Sequence, residues 1–447
     1  MTTIIGIRRE DKNRWERRAP LTPKDMEQLI SEHGLRFHVQ PSNTPPIRVF
    51  PDQAYKDAGA EIREDLYECD LILGVKEMPA DFFREKKAFM FFSHTTKCQP
   101  FNMAMLKKLL DMGCTLFDYE LITDEKGRRK VFFGRHAGLA GMIDTLAALG
   151  RRLDEEGIPS PFSGIRMAHE YSGLSQAQAD ILEAGEKLNA LGLDPRITPL
   201  VVGFAGYGHV SSGAQEILNL MPTLSVTPDD IPALRDRRDL SSHHIYSVVF
   251  KEEDMVAPKD PADQFMLQDY YDHPEKYVSI FDRYTPHLNV LMNCIFWTEK
   301  YPRLITTDAL RDLFGEGQQP YLRVVGDISC DIKGSIEFTL KATNQDVPCF
   351  VYEPSTGKPR DGFAGNGPVV MAVDNLPCEL PLEATEYFSR TLREFIAEFA
   401  KIDLASPGAL MELSDPLKKS LIAYQGCLMS PFKYIEECIQ KEVVEQE

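Results

Sequence analysis

The chain has 447 residues and a formal net charge of -18. That length allows two or three domains of roughly 100–200 residues each, with cores large enough to need no metal or disulfide. The acidity argues against nucleic acid or an anionic membrane as partner, since both call for a basic surface, though a local arginine cluster can still hold an anionic substrate. The nine cysteines are dispersed, with no C-x-x-C pair and no zinc-ligand spacing, so we expect free thiols in a reducing compartment and no metal centre. The opening MTTIIGIRRE places charges after a short apolar run, the reverse of a secretory signal. No stretch approaches the roughly 20 apolar residues of a membrane span, and a cytoplasmic protein is expected.

In chain order, Ile4, Ile5 and Ile7 read as a strand. Thr22 and Pro23 open a helix as N-cap and first helical residue; it carries Met26, Leu29 and Ile30 and stops at Gly34. Phe37 and Val39 point to a second strand, and a helix near residues 51–58 ends at Gly59. Short apolar runs follow at residues 71–75, 88–92 and 115–117, with a helical segment at 103–112. Continuous apolar strands alternating with helices predict a parallel sheet buried on both faces.

Ionisable residues follow each of these strands: Arg8, Arg9, Glu16 and Arg18, then Lys76 and Glu77, then His94 and Lys97, then Glu120. Open α/β sheets bind ligands outside the carboxyl ends of their strands, so these groups can form one site. The alternative is that charges merely resume where apolar strands stop.

Residues 138–150 set Leu139, Met142, Ile143, Leu146 and Leu149 on one helical face, as a connecting helix between domains. A second α/β unit begins near Leu200, with strands at residues 200–204, 224–226, 245–250, 290–295 and 322–325 and a helix at 211–221. His243 and His244 are read as structural residues on a strand, since adjacent strand side chains point apart.

The segment VVGFAGYGHVSSGAQE is a buried strand, a glycine turn and a helix. Gly206 permits the sharp turn, and Gly208 lets the backbone approach a pyrophosphate at the helix N-terminus. Gly206, Tyr207, Gly208, His209 and Val210 are therefore candidate nucleotide contacts. The pattern departs from G-x-G-x-x-G, with Ser211 in the third position and Gly213 two residues on. An acidic residue about 20 residues on, at the end of the next strand, would hold the ribose 2′-OH of NAD. Here Thr227 occupies that place, followed by Asp229 and Asp230 and then Arg235, Arg237 and Arg238. This leans toward NADP, with NAD allowed.

The strings GIRREDKNRWERRAPLTP, GVKEMP, FFSHTTK, LFDYELI, GYGHVSSGAQE, DISCDIKGSIEF and VDNLP occur in that order. Together they resemble the lysine–ketoglutarate reductase half of the bifunctional aminoadipic semialdehyde synthases. More distantly they resemble NAD-linked lysine-forming saccharopine dehydrogenase, alanine dehydrogenase and the transhydrogenase nucleotide-binding subunit. The resemblance implies an α/β fold of two Rossmann-like domains with parallel sheets and an interdomain cleft. It implies a discontinuous substrate domain at 1–137 plus 375–447, completed by a return helix near 383–400, and a dinucleotide-binding domain at 138–374.

The implied reaction is reductive condensation of lysine with 2-oxoglutarate to saccharopine. By the same resemblance Lys76 and His94 are the acid–base pair. Arg18, Arg128 and Arg129 meet substrate carboxylates; Glu16, Glu77 and Glu120 meet ammonium groups and tune Lys76. Asp331 lies near the nicotinamide and Asn375 at the domain return. On the residues alone, Lys76 is equally a salt-bridge partner of Glu77, and His94 a capped loop histidine. The remaining alternatives are a related amino-acid or opine-type dehydrogenase and a non-catalytic nucleotide-binding sensor. A homo-oligomer is left open.

Overall fold

Thr22 caps its helix as the spacing predicts. Its hydroxyl accepts the Asp25 N–H at 3.1 Å at the start of the helix Pro23–His33, and Gly34 ends that helix at φ 68°. The left-handed conformation costs a residue without Cβ nothing. The computed structural model describes residues 3–446 except 236, 238, 239, 316, 317, 319, 405 and 407; Arg238 thus lies outside the described residues. The chain divides into two units, Met1–Phe133 with Pro381–Glu447, and Gly134–Leu380.

The first unit is built on an eight-stranded sheet, ordered β18-β17-β6-β5-β4-β1-β2-β3. Its strands are β1 (Ile4–Ile7), β2 (Arg36–Val39), β3 (Glu61–Ile62), β4 (Leu71–Leu73), β5 (Ala88–Phe91), β6 (Thr115–Asp118), β17 (Leu421–Tyr424) and β18 (Cys427–Leu428). The strands from β6 to β3 in that order are parallel, and β17 and β18 add an antiparallel edge. Every residue of β4, β5 and β6 is buried, which is why these strands read as unbroken apolar runs. The helix Pro381–Glu398 returns to this sheet. Its Thr385 and Ser389 hydroxyls accept the Ala19 and Thr22 N–H groups at 3.1 and 2.8 Å, and its Phe388 ring meets those of Phe92, Tyr119 and Phe133.

The expectation of nine free thiols is corrected here. Cys98 and Cys438 form a disulfide across 340 residues, with an S–S distance of 2.11 Å, leaving seven free cysteines. The helix Ile435–Gln446 packs against the helix Pro100–Asp111, bringing the two sulfurs together. Sequence spacing carries no trace of such a contact.

The second unit holds another eight-stranded sheet, ordered β15-β14-β16-β13-β12-β7-β9-β8. Its strands are β7 (Leu200–Ala205), β8 (Thr223–Ser225), β9 (Ile245–Phe250), β12 (Val290–Asn293), β13 (Val324–Asp327), β14 (Cys349–Glu353), β15 (Lys358–Asp361) and β16 (Val369–Met371); β10 (Val256–Pro258) and β11 (Tyr277–Ser279) form a separate antiparallel ribbon. β7 lies between β12 and β9, and β8, the strand next in sequence, pairs only with the far side of β9. His243 and His244 sit in the turn before β9 rather than on a strand, their Nδ1 atoms bonded to Asn189 O and Ser241 Oγ.

The helix Gly134–Glu155 is also more enclosed than its pattern predicts. Leu139, Met142, Ile143, Leu146 and Leu149 are buried, and so are Gly138, Ala140, Gly141, Asp144, Thr145, Ala147 and Ala148 around the rest of its circumference. It packs backbone to backbone on the helix His209–Leu218: a Cβ added at Gly138 would stand 1.9 Å from Val210 O, and one at Gly213 2.2 Å from Arg135 O. Gly213 thus serves helix–helix approach, beside a fully buried Ser211.

Candidate active site

The carboxyl edge of the first sheet carries a lateral chain of carboxylates linking successive strands. After β1, Glu10 is buried and its two oxygens accept the backbone N–H groups of Val75 and Lys76 at 2.7 and 3.0 Å. Burial pushes its pKa up to about 7, with Glu16 adding to the rise and Arg8 opposing it. After β4, Glu77 Oε1 lies 2.6 Å from His94 Nδ1, and its Oε2 lies 3.3 Å from Lys12 Nζ. Burial alone would raise the Glu77 carboxyl, but the hydrogen bond and charge of His94, with Lys12, hold it down at about 2. At the end of β6, Asp118 is fully buried. Its Oδ2 accepts both the N–H and the hydroxyl of Ser93, the residue before His94, and its Oδ1 accepts the Glu120 N–H at 2.8 Å. Burial raises its pKa to about 6 against those hydrogen bonds.

The structure thus brings Lys76, Glu77, His94 and Glu120 to one sheet edge. Glu77 turns to His94 and Lys12, not to Lys76, so the reading of Lys76 as its salt-bridge partner is set aside. His94 adopts φ 49°, a left-handed conformation that a β-carbon resists, and its carbonyl accepts from Asn102 Nδ2 at 3.2 Å.

Glu16 and Arg18 do not stand apart as two substrate contacts. They pair with each other through Nε–Oε1 and Nη2–Oε2 at 2.7 and 2.6 Å, both side chains buried, with the guanidinium 4.4 Å from the centre of the Phe133 ring. Arg129 pairs with Glu120 at 2.7 Å, whereas Arg128 is exposed on a turn and pairs with Asp124 at 2.7 Å. Glu10 and Asp118 escaped the sequence reading because nothing in their spacing announces a carboxylate bonded to the backbone of another strand.

In the second unit the glycine turn, Asp331 and Asn375 all follow carboxyl ends of parallel strands: β7, β13 and β16. Gly206 has φ 93°, and a Cβ there would stand 3.0 Å from Ile295 Cγ2; a Cβ at Gly208 would meet nothing within 4 Å. The helix His209–Leu218 begins at Gly208 with no side-chain cap. An open approach to an uncapped helix N-terminus suits a dinucleotide's pyrophosphate. Asn375 takes φ 64° ahead of the turn Leu376–Glu379.

Thr227 Oγ1 is 2.6 Å from Asp230 Oδ2, closing a local cap beyond the outer strand β8. Arg235 bonds to His287 O and Asn289 Oδ1 at 2.8 and 3.0 Å and lies over Tyr321. Asn289 immediately precedes β12, so Arg235 is at the amino edge of the sheet, opposite the glycine turn.

The fold is similar to those of alanine dehydrogenase and transhydrogenase. Residues 6–140 match the alanine dehydrogenase/PNT N-terminal domain. The architecture is similar to a solved L-alanine dehydrogenase (TM-score 0.62, 16% identity, 98% of this chain and 100% of that one) and to a transhydrogenase from Sinorhizobium meliloti (TM-score 0.51, 14% identity, 96% and 99%).

More particularly, the chain is similar to the alpha-aminoadipic semialdehyde synthases. It is 40% identical to the Arabidopsis thaliana protein, over 97% of this chain and 41% of that one, and 36% identical to the mitochondrial protein of Bos taurus, over 97% and 48%. It therefore spans less than half the length of these relatives. It is also 28% identical to a saccharopine dehydrogenase [NAD(+), L-lysine-forming] of Neurospora crassa, over 87% of this chain and 89% of that one. Among the described residues no helix is long and apolar enough to cross a membrane.

Proposed function

We propose that this chain is a nicotinamide-dependent oxidoreductase acting on a CH–NH bond, forming saccharopine from L-lysine and 2-oxoglutarate. The observation that carries the reading is the clustering of Lys76, Glu77, His94 and Glu120 at one sheet edge in a chain similar, over nearly its whole length, to alpha-aminoadipic semialdehyde synthases. The first unit takes the substrates and the second the dinucleotide. The two units divide near residues 133 and 381, within a few residues of the 137 and 375 expected for the two domains.

The ε-amine of lysine must lose a proton before it attacks the keto carbon, and the carbinolamine hydroxyl must gain one before it leaves as water. Lys76 and His94 exchange those protons. A positioned acid–base pair contributes about 10²–10⁴-fold. Glu77, ionised across the working pH range, orients the His94 ring. Arg129, half-exposed beside Glu120, meets a substrate carboxylate as a bidentate fork. Arg18 joins it only by exchanging Glu16 for the substrate. The dinucleotide, held at Gly206, Tyr207, Gly208, His209 and Val210 with Asp331 and Asn375 toward the nicotinamide, supplies the hydride when bound.

The test is nucleotide oxidation by the purified protein with lysine, 2-oxoglutarate or each omitted in turn. Both substrates are expected to be required; turnover of pyruvate with ammonia, and none with lysine, overturns the proposal. The second reading is an NAD-linked lysine-forming saccharopine dehydrogenase, supported by near full-length coverage of the Neurospora crassa protein. It shares the chemistry and differs in coenzyme and net direction. A cytoplasmic site of action belongs to the same reading and is checked by fractionating cells.

A further inference from the structure

The segments that follow β1, β2, β3 and β4 in the first unit enclose a cavity of about 370 Å³. Its walls include none of Lys76, Glu77, His94, Glu120 and Arg129. Arg8 lines it and is only 3% exposed. The Arg8 backbone N–H donates to Leu73 O at 2.9 Å, and its Nη2 holds the Asp11 carboxylate. Its Nη1 is buried with no hydrogen-bond partner among the described residues. A buried charged donor left in that state costs free energy that an acceptor entering the cavity would recover.

The rest of the wall says what kind of acceptor fits. Four carboxylates stand there against three arginines, Arg8, Arg9 and Arg84, which disfavours a ligand that is an anion and nothing more. Two of the carboxylates are committed, Asp11 to Arg8 and Glu64 to Arg9 at 2.6 Å. The other two, Asp65 and Asp81, are exposed and form no ion pair among the described residues. One unsatisfied cation in the depth and two unpaired acids at the surface call for a zwitterion. Between them the lining is apolar, with Leu66 and Ile72 buried and the Phe82 ring centre 4.8 Å from the Arg8 guanidinium carbon.

We propose that this cavity is a second small-molecule site, binding a free amino acid with an apolar side chain: carboxylate to Arg8, ammonium toward Asp65 and Asp81, side chain against Leu66, Ile72 and Phe82. The site communicates with Lys76 through Glu10. Arg8 is the cation that opposes the rise in the Glu10 pKa, and Glu10 accepts the Val75 and Lys76 N–H groups. A carboxylate beside Arg8 offsets that charge, so Glu10 takes up a proton more readily and its hold on the Lys76 peptide weakens. Occupancy therefore lowers kcat without competing with substrate. That effect rests on the reading of Lys76 as an acid–base group, whereas binding does not.

Calorimetry on the full chain with L-leucine tests the site. Isocaproate, which lacks the ammonium, and isoamylamine, which lacks the carboxylate, are the companion probes. Leucine should bind once per chain and each companion at least about tenfold more weakly, the worth of a charged hydrogen bond. Arg8→Met should weaken leucine by a similar factor. The double variant Asp65→Asn, Asp81→Asn changes exposed positions only, and should do the same if Arg8→Met does not fold. Saturating leucine should lower the kcat of nucleotide oxidation about twofold or more in wild type, with KM unchanged, and spare the double variant. No leucine binding, or binding that neither variant weakens, overturns the site. A raised KM with kcat unmoved places leucine among the substrate contacts and overturns it as well.

Discussion

His94 Nδ1 and Glu77 Oε1 stand 2.6 Å apart, joining the end of β4 to the loop after β5. The carboxylate that sequence order sets beside Lys76 is thereby committed to the histidine, with Lys12 on its other oxygen.

This relationship predicts a graded set of variants. Lys76→Met and His94→Gln should each lower kcat by about 10²–10⁴-fold with nucleotide binding unchanged. Glu77→Gln should cost less, about 10–100-fold, the worth of a charged hydrogen bond, mainly in kcat. Glu77 also carries an acid signature. Its folded pKa, about 2, lies below the ordinary carboxylate value of 4.5, so its stabilisation is complete above about 4.5 and is lost as pH falls toward 2. Denaturant unfolding against pH should show a shallower acid limb in Glu77→Gln; parallel limbs would remove the ion pair from the account.

Glu10 should act on catalysis only through the Lys76 peptide that it holds. Glu10→Gln presents an amide where one backbone N–H needs an acceptor, so kcat is expected to fall. Added to Lys76→Met, however, it should cost little more, because interacting residues are not additive. Full additivity would mark Glu10 as a purely structural residue. Its stability effect has the opposite sign to that of Glu77. The folded pKa, about 7, is raised above 4.5, so the folded state binds the extra proton and wild-type stability falls as pH rises through that window. The loss on Glu10→Gln should therefore be larger at pH 5 than at pH 8.

The Cys98–Cys438 bridge is checked by counting thiols. Protein unfolded without reductant should react at seven cysteines rather than nine. Reductant, or Cys438→Ser, should lower stability by about 2–4 kcal/mol, the usual worth of closing a long loop. Nine reactive thiols would leave the helix Ile435–Gln446 held by packing alone.

Much of the local structure was legible because it is encoded locally. The Thr22 cap, the Gly34 stop, the buried runs at β4, β5 and β6 and the turn at Gly206 each depend on residues a few positions apart. The appearance of Lys76, His94 and Glu120 after apolar strands follows from the same pattern, since in a parallel sheet all such ends share one edge. Partner choice was not legible. Glu16 closing on Arg18, Glu77 on His94 and Cys98 on Cys438 are decided by which side chains the fold carries into reach. The most consequential case is strand order: β8 is next in sequence after β7, yet it is β9 that lies against β7. By itself the sequence determined the elements and the chemistry they carry. The tertiary structure alone decided which groups face each other, because hydrogen bonds and charge interactions act over a few ångströms of space, whatever the separation along the chain.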